Sequence, residues 1–300
     1  MQAVYSKKSQ KIHETVLLKE VTEYLSPLPG QKFIDATLGT GGHALELVNL
    51  GASVLGIDLD PGMIAIAESR LKSAKKGTFT PIRGNFRNID KIAEDAGFDK
   101  VAGVILDLGV SNLHLKDEER GFSFANPEAS LDMRIDPDSQ GVTASNLLGV
   151  LRQDQLRELF AITMEPGSAV WLSRRVIGAR EIRPILTVGD FAQVVRGLRA
   201  KPGLNALTLP MLALRIAVNS EIENLKEVLP KAFELLERGG RLAVISFHSG
   251  EDKEVKNFFK GLGAREQAYI LTSDPVVPKE IEIENNPRAR SAKLRVCEKN

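Results

Sequence analysis

The chain predicts an α/β fold: a parallel sheet flanked by helices, carrying an inserted helical subdomain. Three features lead there. Up to residue 111, short apolar runs that end in polar or glycine-rich loops alternate with segments of helical spacing, the rhythm of a parallel sheet. The first of those loops, Gly39-Thr-Gly-Gly42, has the backbone freedom to approach a ligand closely just before a helix begins. From 112 to about 205 strong strand signals cease, and apolar residues recur at spacings of three and four. The expected division is a sheet domain of residues 1–111 and 206–300, with residues 112–205 inserted as a helical substrate-recognition subdomain.

Each element has a local cause. Apolar positions 17, 18, 21 and 25 give a first helix, ended by Pro27, Pro29 and Gly30. His13, just before it, reads as a cap or surface residue ahead of any ligand role. Phe33-Ile34 opens a buried strand that Asp35 closes; Gly39, Gly41 and Gly42 form the loop, and a helix runs from Ala44 until Gly51 stops it. A second strand, Ser53-Val-Leu-Gly-Ile57, ends in Asp58, after which Asp60-Pro61 supplies an N-cap and first-turn proline. Phe79-Thr-Pro-Ile-Arg83 delivers Gly84-Asn-Phe86, and the apolar strand Val101-Ala-Gly-Val-Ile-Leu106 delivers Asp107-Leu108 at the same sheet edge. Helices follow over 143–151, 154–162, 169–180 and 188–198, then a helical stretch 209–237 broken or kinked at Pro230. Gly239-Gly240 is the expected stop before a fifth strand at 241–246; a helix at 251–260 and strands near 269–271 and 292–296 close the fold.

The strand ends define the ligand chemistry. A carboxylate about 20 residues beyond a glycine-rich turn accepts from ribose hydroxyls, so Asp58 argues for an adenosine ligand, and Phe86 is placed to stack on adenine or to pack in the core. Gly39-x-Gly41-x-x-Ala44 also fits a loose dinucleotide fingerprint. Asp35, however, would repel a pyrophosphate and attract the ammonium of a methionine moiety. S-adenosylmethionine therefore fits better than NAD, and an NAD-dependent oxidoreductase is the weaker reading.

Composition sets limits. With 43% hydrophobic and 26% charged residues the chain is of the globular class. One cysteine, Cys297, excludes an internal disulfide framework, and four scattered histidines lack metal-ligand spacing, so no metal is expected and the compartment reads as cytoplasmic. No signal-like or membrane-spanning apolar run occurs. The net charge of +1 hides a segment, 152–201, with nine Lys/Arg against five Asp/Glu. Arg174, Arg175, Arg180 and Arg183 read there as a phosphate-contacting face or as a solvated helix.

Several strings together resemble one family, the bacterial small-subunit ribosomal RNA cytosine-N4 methyltransferases of the MraW or RsmH type. They are His13-Glu-Thr-Val-Leu-Leu, Asp35-Ala-Thr-Leu-Gly-Thr-Gly-Gly-His43, Asp107-Leu-Gly-Val-Ser111, Arg120-Gly-Phe-Ser-Phe124, Leu131-Asp-Met-Arg134, Ala213-Leu-Arg-Ile-Ala-Val-Asn219, Ser246-Phe-His-Ser249 and the run from Asn286 to Arg295. The resemblance implies a class I, Rossmann-like S-adenosylmethionine-dependent methyltransferase sheet. It implies a cytidine N4 in the decoding region of 16S rRNA as acceptor, the small ribosomal subunit as partner, and leaves room for a homodimer. It implies that Gly41, Gly42, His43, Asp58, Phe86 and Asp107 line the cofactor, with His114 where the family usually has glutamine. Met164-Glu-Pro-Gly167 and Thr208-Leu-Pro-Met-Leu212 depart from the family's Gly-Glu-Glu-Arg and Thr-Arg-Thr-Phe-Gln, which keeps open a non-catalytic ribosome-assembly binder of the same fold.

Cytosine N4 is a poor nucleophile because its lone pair is delocalised. Acceptors aimed at its hydrogens favour the tetrahedral geometry of attack. Asp107 and the Leu108 carbonyl are the expected acceptors; Phe122, Phe124 or Phe247 would stack on an extruded base. Asp132 and Arg134 are substrate-side candidates, with a structural ion pair as the alternative.

Overall fold

In the computed structural model the described residues are 15–74, 76–111, 119–200 and 203–300. Strands β1 (Lys32–Asp35), β2 (Ser53–Asp58), β3 (Thr78–Arg83), β4 (Val101–Asp107) and β5 (Leu236–Ser246) run parallel. Strand β7 (Lys293–Lys299) is antiparallel to β5, and β6 (Ala268–Ile270) is antiparallel to β7. The seven strands lie in the order β3-β2-β1-β4-β5-β7-β6, a Rossmann-like methyltransferase sheet. The order reverses between β1 and β4. In open α/β sheets a ligand crevice forms outside the carboxyl ends at such a switch point.

Alternation along the central strands sorts their side chains onto two faces. Ile34, Val104, Leu106 and Val244 pack under helices α4 (Ile89–Asp95), α10 (Glu221–Leu235) and α11 (Ser249–Ala264). Phe33, Ile105 and Ile245 pack under α1 (Leu18–Leu25), α2 (Gly42–Asn49) and α3 (Pro61–Leu71). Cys297 lies in the first of these clusters, where burial pushes its thiol up to about 12.

The inserted layer has its own core. Helices α5 (Ala144–Val150), α6 (Gln153–Ala161), α7 (Pro166–Ile182) and α8 (Val188–Val195) contribute Leu148, Leu156, Phe160, Leu172, Val176 and Phe191. Helix α9 (Thr208–Asn219) adds Met211, Ala213 and Leu214 to the same cluster and so joins the layer to the sheet.

Two expectations need correction. The helical stretch breaks at Ser220, whose φ of 49° is left-handed, while Pro230 sits inside α10. A proline removes one N–H, whereas a left-handed residue redirects the whole chain. The fifth strand begins at Leu236, which pairs with Val101 before the register shifts to Gly103 and Arg241. Gly239, at φ 79°, therefore forms an irregularity within the strand and not a helix stop.

Three arginines of the insert's run have partners within the insert, although Arg175 and Arg183 remain exposed. Arg180 Nη1 donates to the Leu148 and Leu151 carbonyls at 2.8 and 2.7 Å, closing the C-terminus of α5. Arg183 pairs with Asp190 at 2.9 Å. Arg175 donates to the Val194 carbonyl and lies 5.5 Å from the Trp171 ring centre. Arg180→Ala should lower stability by about 2 kcal/mol, the range for hydrogen bonds from a charged donor. Urea denaturation checks it, and an unchanged midpoint would return Arg180 to the surface.

Candidate functional site

A cavity of about 580 Å³ opens at the carboxyl ends of β1, β2 and β4. Gly39, Gly42, His43, Asp58, Phe86, Asp107 and Leu108 line it, bringing most of the expected residues together. Asp58 is fixed by the loop it serves: its Oδ2 accepts from Gly39 N and its Oδ1 from Asp60 N, both at 2.8 Å. A carboxylate oxygen can accept more than one hydrogen bond, so a ribose hydroxyl is chemically suited to this position. Gly42 passes against Thr15, where an added Cβ would meet Oγ1 at 1.7 Å. Gly41, at φ 75°, stands behind the lining; a Cβ there would come within 2.8 Å of Leu71 on α3. Phe86 follows β3 in a short 3-10 turn capped by the Asn85 side chain.

Asp35 also stands behind the lining, 1% exposed. Its Oδ1 accepts from Thr37 N at 3.3 Å, while Oδ2 accepts nothing among the described residues. Burial, with the Asp58 carboxylate adding to it, raises its carboxyl to about 7. Burial, then Asp35 and Glu251, holds Asp107 well above the usual range. His43 Nε2 lies 3.8 Å from Asp107 Oδ2, and the Asp107 N–H donates to Thr37 Oγ1 at 2.6 Å. Acidic groups thus converge on a cavity in which a cationic ligand would relieve them. An ammonium or a sulfonium fits that environment; a pyrophosphate does not.

The wall toward β5 holds residues to which sequence reasoning gave no role. Arg215 forks onto Glu221 with contacts of 2.8 and 2.9 Å. His248 caps α11, its Nδ1 facing Gly250 N and Glu251 N at 3.2 and 3.4 Å, while Glu251 Oε2 accepts from Phe247 N at 2.8 Å. The spacing His248-x-x-Glu251 before a helix is a capping-box pattern and was readable as one. Glu221, His248 and Glu251 stand close enough to suit a metal ion. Yet Nδ1 already serves as acceptor, which leaves the imidazole hydrogen on Nε2, and Arg215 occupies Glu221. The set is an ion-pair network.

Asp132 and Arg134 do not reach the cavity. They pair bidentately at 2.7 Å, and Arg134 Nη1 donates to the Gln140 carbonyl at 2.7 Å. Their pairing satisfies them internally and shapes the loop that places Ile135, Ser139 and Gln140 on the cavity wall. Their pairing is the structural ion pair that the sequence offered as the alternative. Of the three phenylalanines, Phe247 lines the cavity, Phe122 is buried in the insert core and Phe124 is exposed elsewhere. His13 and His114 lie outside the described residues. A larger groove of about 900 Å³, with Trp171 and Arg174, runs along α7 and α8 within the insert.

The model of the MraW methylase family matches residues 10–300. The ribosomal RNA small subunit methyltransferase H of Methylacidiphilum infernorum is 40% identical over 298 residues, 95% of this chain and 93% of that one. Its namesakes from Deinococcus deserti and Thermomicrobium roseum are 40% and 39% identical, each over 96% of this chain and 93% of theirs. A solved rRNA methylase from Streptococcus thermophilus, at 13% identity and a TM-score of 0.46 over 97% of this chain and 99% of that one, is too distant to carry a residue role.

Asp35 makes the apo protein pH-sensitive. Its folded value, about 7, lies above that of an unperturbed aspartate, so its contribution to stability is full below about pH 4 and is lost as pH rises through 7. Asp35→Asn should therefore raise the melting temperature at pH 8 but not at pH 4, the difference reflecting up to about 4 kcal/mol. Equal shifts at both values would disprove the buried-acid assignment.

Proposed function

The chain belongs to the MraW methylase family, and from that premise we propose that it methylates small-subunit ribosomal RNA with S-adenosylmethionine, at the exocyclic N4 of a cytidine in the decoding region. The observation that carries this reading is the meeting of Asp58 and Asp107 on one cavity at the β1/β4 switch point, with the buried Asp35 carboxyl behind its lining. Asp58 would hold the ribose, Phe86 the adenine, and Asp35 with the Gly39–Gly42 loop the methionine end. The bound cofactor supplies an electrophilic methyl group on a sulfonium.

The acceptor side follows from β4. Asp107 and the Leu108 carbonyl project from its end and would accept from the two N4 hydrogens, turning the nitrogen lone pair toward the methyl carbon. As the new N–C bond forms, N4 must lose one proton; an Asp107 carboxylate with a raised pKa takes a proton more readily than an ordinary one. Phe247, on the cavity wall, offers the stacking face for an extruded base. Residues 112–205 would dock the RNA outside.

Tritiated methyl transfer to small subunits from a strain lacking the enzyme tests the proposal, with nucleoside mass spectrometry identifying the product. N4-methylcytidine is expected; label on another base or on ribose would overturn it. Asp58→Ala should weaken cofactor binding by about 2–3 kcal/mol by calorimetry. Asp107→Asn should lower turnover more than cofactor affinity. Because a cationic ligand favours ionised Asp35, affinity should rise about fivefold from pH 6 to pH 7 as the competent fraction grows. Asp35→Asn should flatten that profile, and a profile it leaves intact would assign the pH dependence elsewhere.

A further inference from the structure

Three arginines line the cavity, Arg215, Arg288 and Arg290. Arg215 is committed to Glu221. Arg288 and Arg290 make no hydrogen bond or ion pair among the described residues. Other guanidiniums of the surrounding structure are paired: Arg83 with Asp136, Arg134 with Asp132 and Arg295 with Asp252. Arg288 is half-buried, and burial alone draws its pKa below the ordinary arginine value. A guanidinium held partly out of water without a counterion is a cost that an incoming anion offsets.

The two side chains ride on one rigid piece. Residues Pro287–Ser291 form a 3-10 turn anchored by Ala289, which is fully buried, and closed by Ala292 N donating to the Ala289 carbonyl at 2.8 Å. Strand β7 starts at Lys293 opposite Ser246, the last residue of β5. The turn therefore sits past the carboxyl end of β5, on the Phe247 side, with β1 and β4 between it and the β2 and β3 ends that carry Asp58 and Phe86. Charge is zoned accordingly. On the acceptor side Glu221 is neutralised by Arg215, whereas Arg288 and Arg290 have no acidic partner among the described residues. A nucleotide entering base-first would leave its phosphates beside those cations.

Resting on the function proposed above, we infer that the Pro287–Ser291 turn is a phosphate site, at which Arg288 and Arg290 hold the RNA backbone flanking the target nucleotide. It is separate from the insert and acts where the base enters. The site takes phosphodiester oxygens in either strand direction and reads no sequence.

The test is the salt dependence of binding to unmethylated small subunits, measured with the full-length protein. Arg288→Gln and Arg290→Gln should each make the slope of log affinity against log salt shallower by about 0.7–0.9, and the double variant by about twice that. Arg→Lys at either position should restore the slope, and cofactor affinity by calorimetry should stay unchanged. Slopes equal to wild type in all variants would overturn the site. So would weakened cofactor binding with an unchanged slope, which would assign the cations to the cofactor carboxylate. If wild type binds subunits but transfers no methyl group, the methylation reading fails while the slopes still report on the phosphate site.

Discussion

The cavity depends on one electrostatic constraint: Asp35 and Asp107 end neighbouring parallel strands with carboxyl groups whose charged form burial disfavours. The reversal of strand order between β1 and β4 creates that meeting, because the chain leaves the two strands toward opposite sides and opens a crevice between them. Two apolar faces hold the strands rigidly enough to keep both acids in place. The fold thus stores an unfavourable charge environment that a cationic ligand improves, a compromise common at functional sites.

Among the described residues, one loop couples the insert to that crevice through a set of side-chain hydrogen bonds. Asn219, at the end of α9, accepts from Ile135 N and Gln140 Nε2 at 3.0 Å and donates to the Met133 and Arg215 carbonyls at 2.9 Å. Arg83, at the end of β3, binds Asp136 of the same loop at 3.0 Å. The loop therefore touches the sheet, the last helix of the inserted layer and the cavity wall together. Asp132 and Arg134 support function through this scaffold, by holding the loop's shape.

What the sequence made legible was local. Strand periodicity, glycine at a turn and an acid at a strand end depend on neighbouring residues, and Gly39, Asp58 and Asp107 fall where those signals put them. What it concealed was partnership across distance. Arg180 looks like its neighbour Arg174 in the sequence, yet its partners are carbonyls 29 and 32 residues away. Arg215 and His248 sit in strings visible from the start, but their contacts with Glu221 and Glu251 exist only after α9, α10 and α11 are packed. Pro230 carried a strong breaker signal, and tertiary packing of α10 overrode it, while Ser220 gave little warning.

The same reasoning explains the altered insert residues. Pro166 occupies the first turn of α7, where its missing N–H is harmless. Leu209 packs against the insert core, and its carbonyl accepts from Thr163 Oγ1 at 2.7 Å. Gly167, with no neighbour within reach of an added Cβ, lines the groove beside Trp171. Arg180 is turned onto the carbonyls at the end of α5 and Arg183 is paired with Asp190, while Arg174 and Arg175 are exposed. On the cavity's acceptor side Arg288 and Arg290 make no ion pair among the described residues, and under the proposed function that is where the RNA backbone would be held.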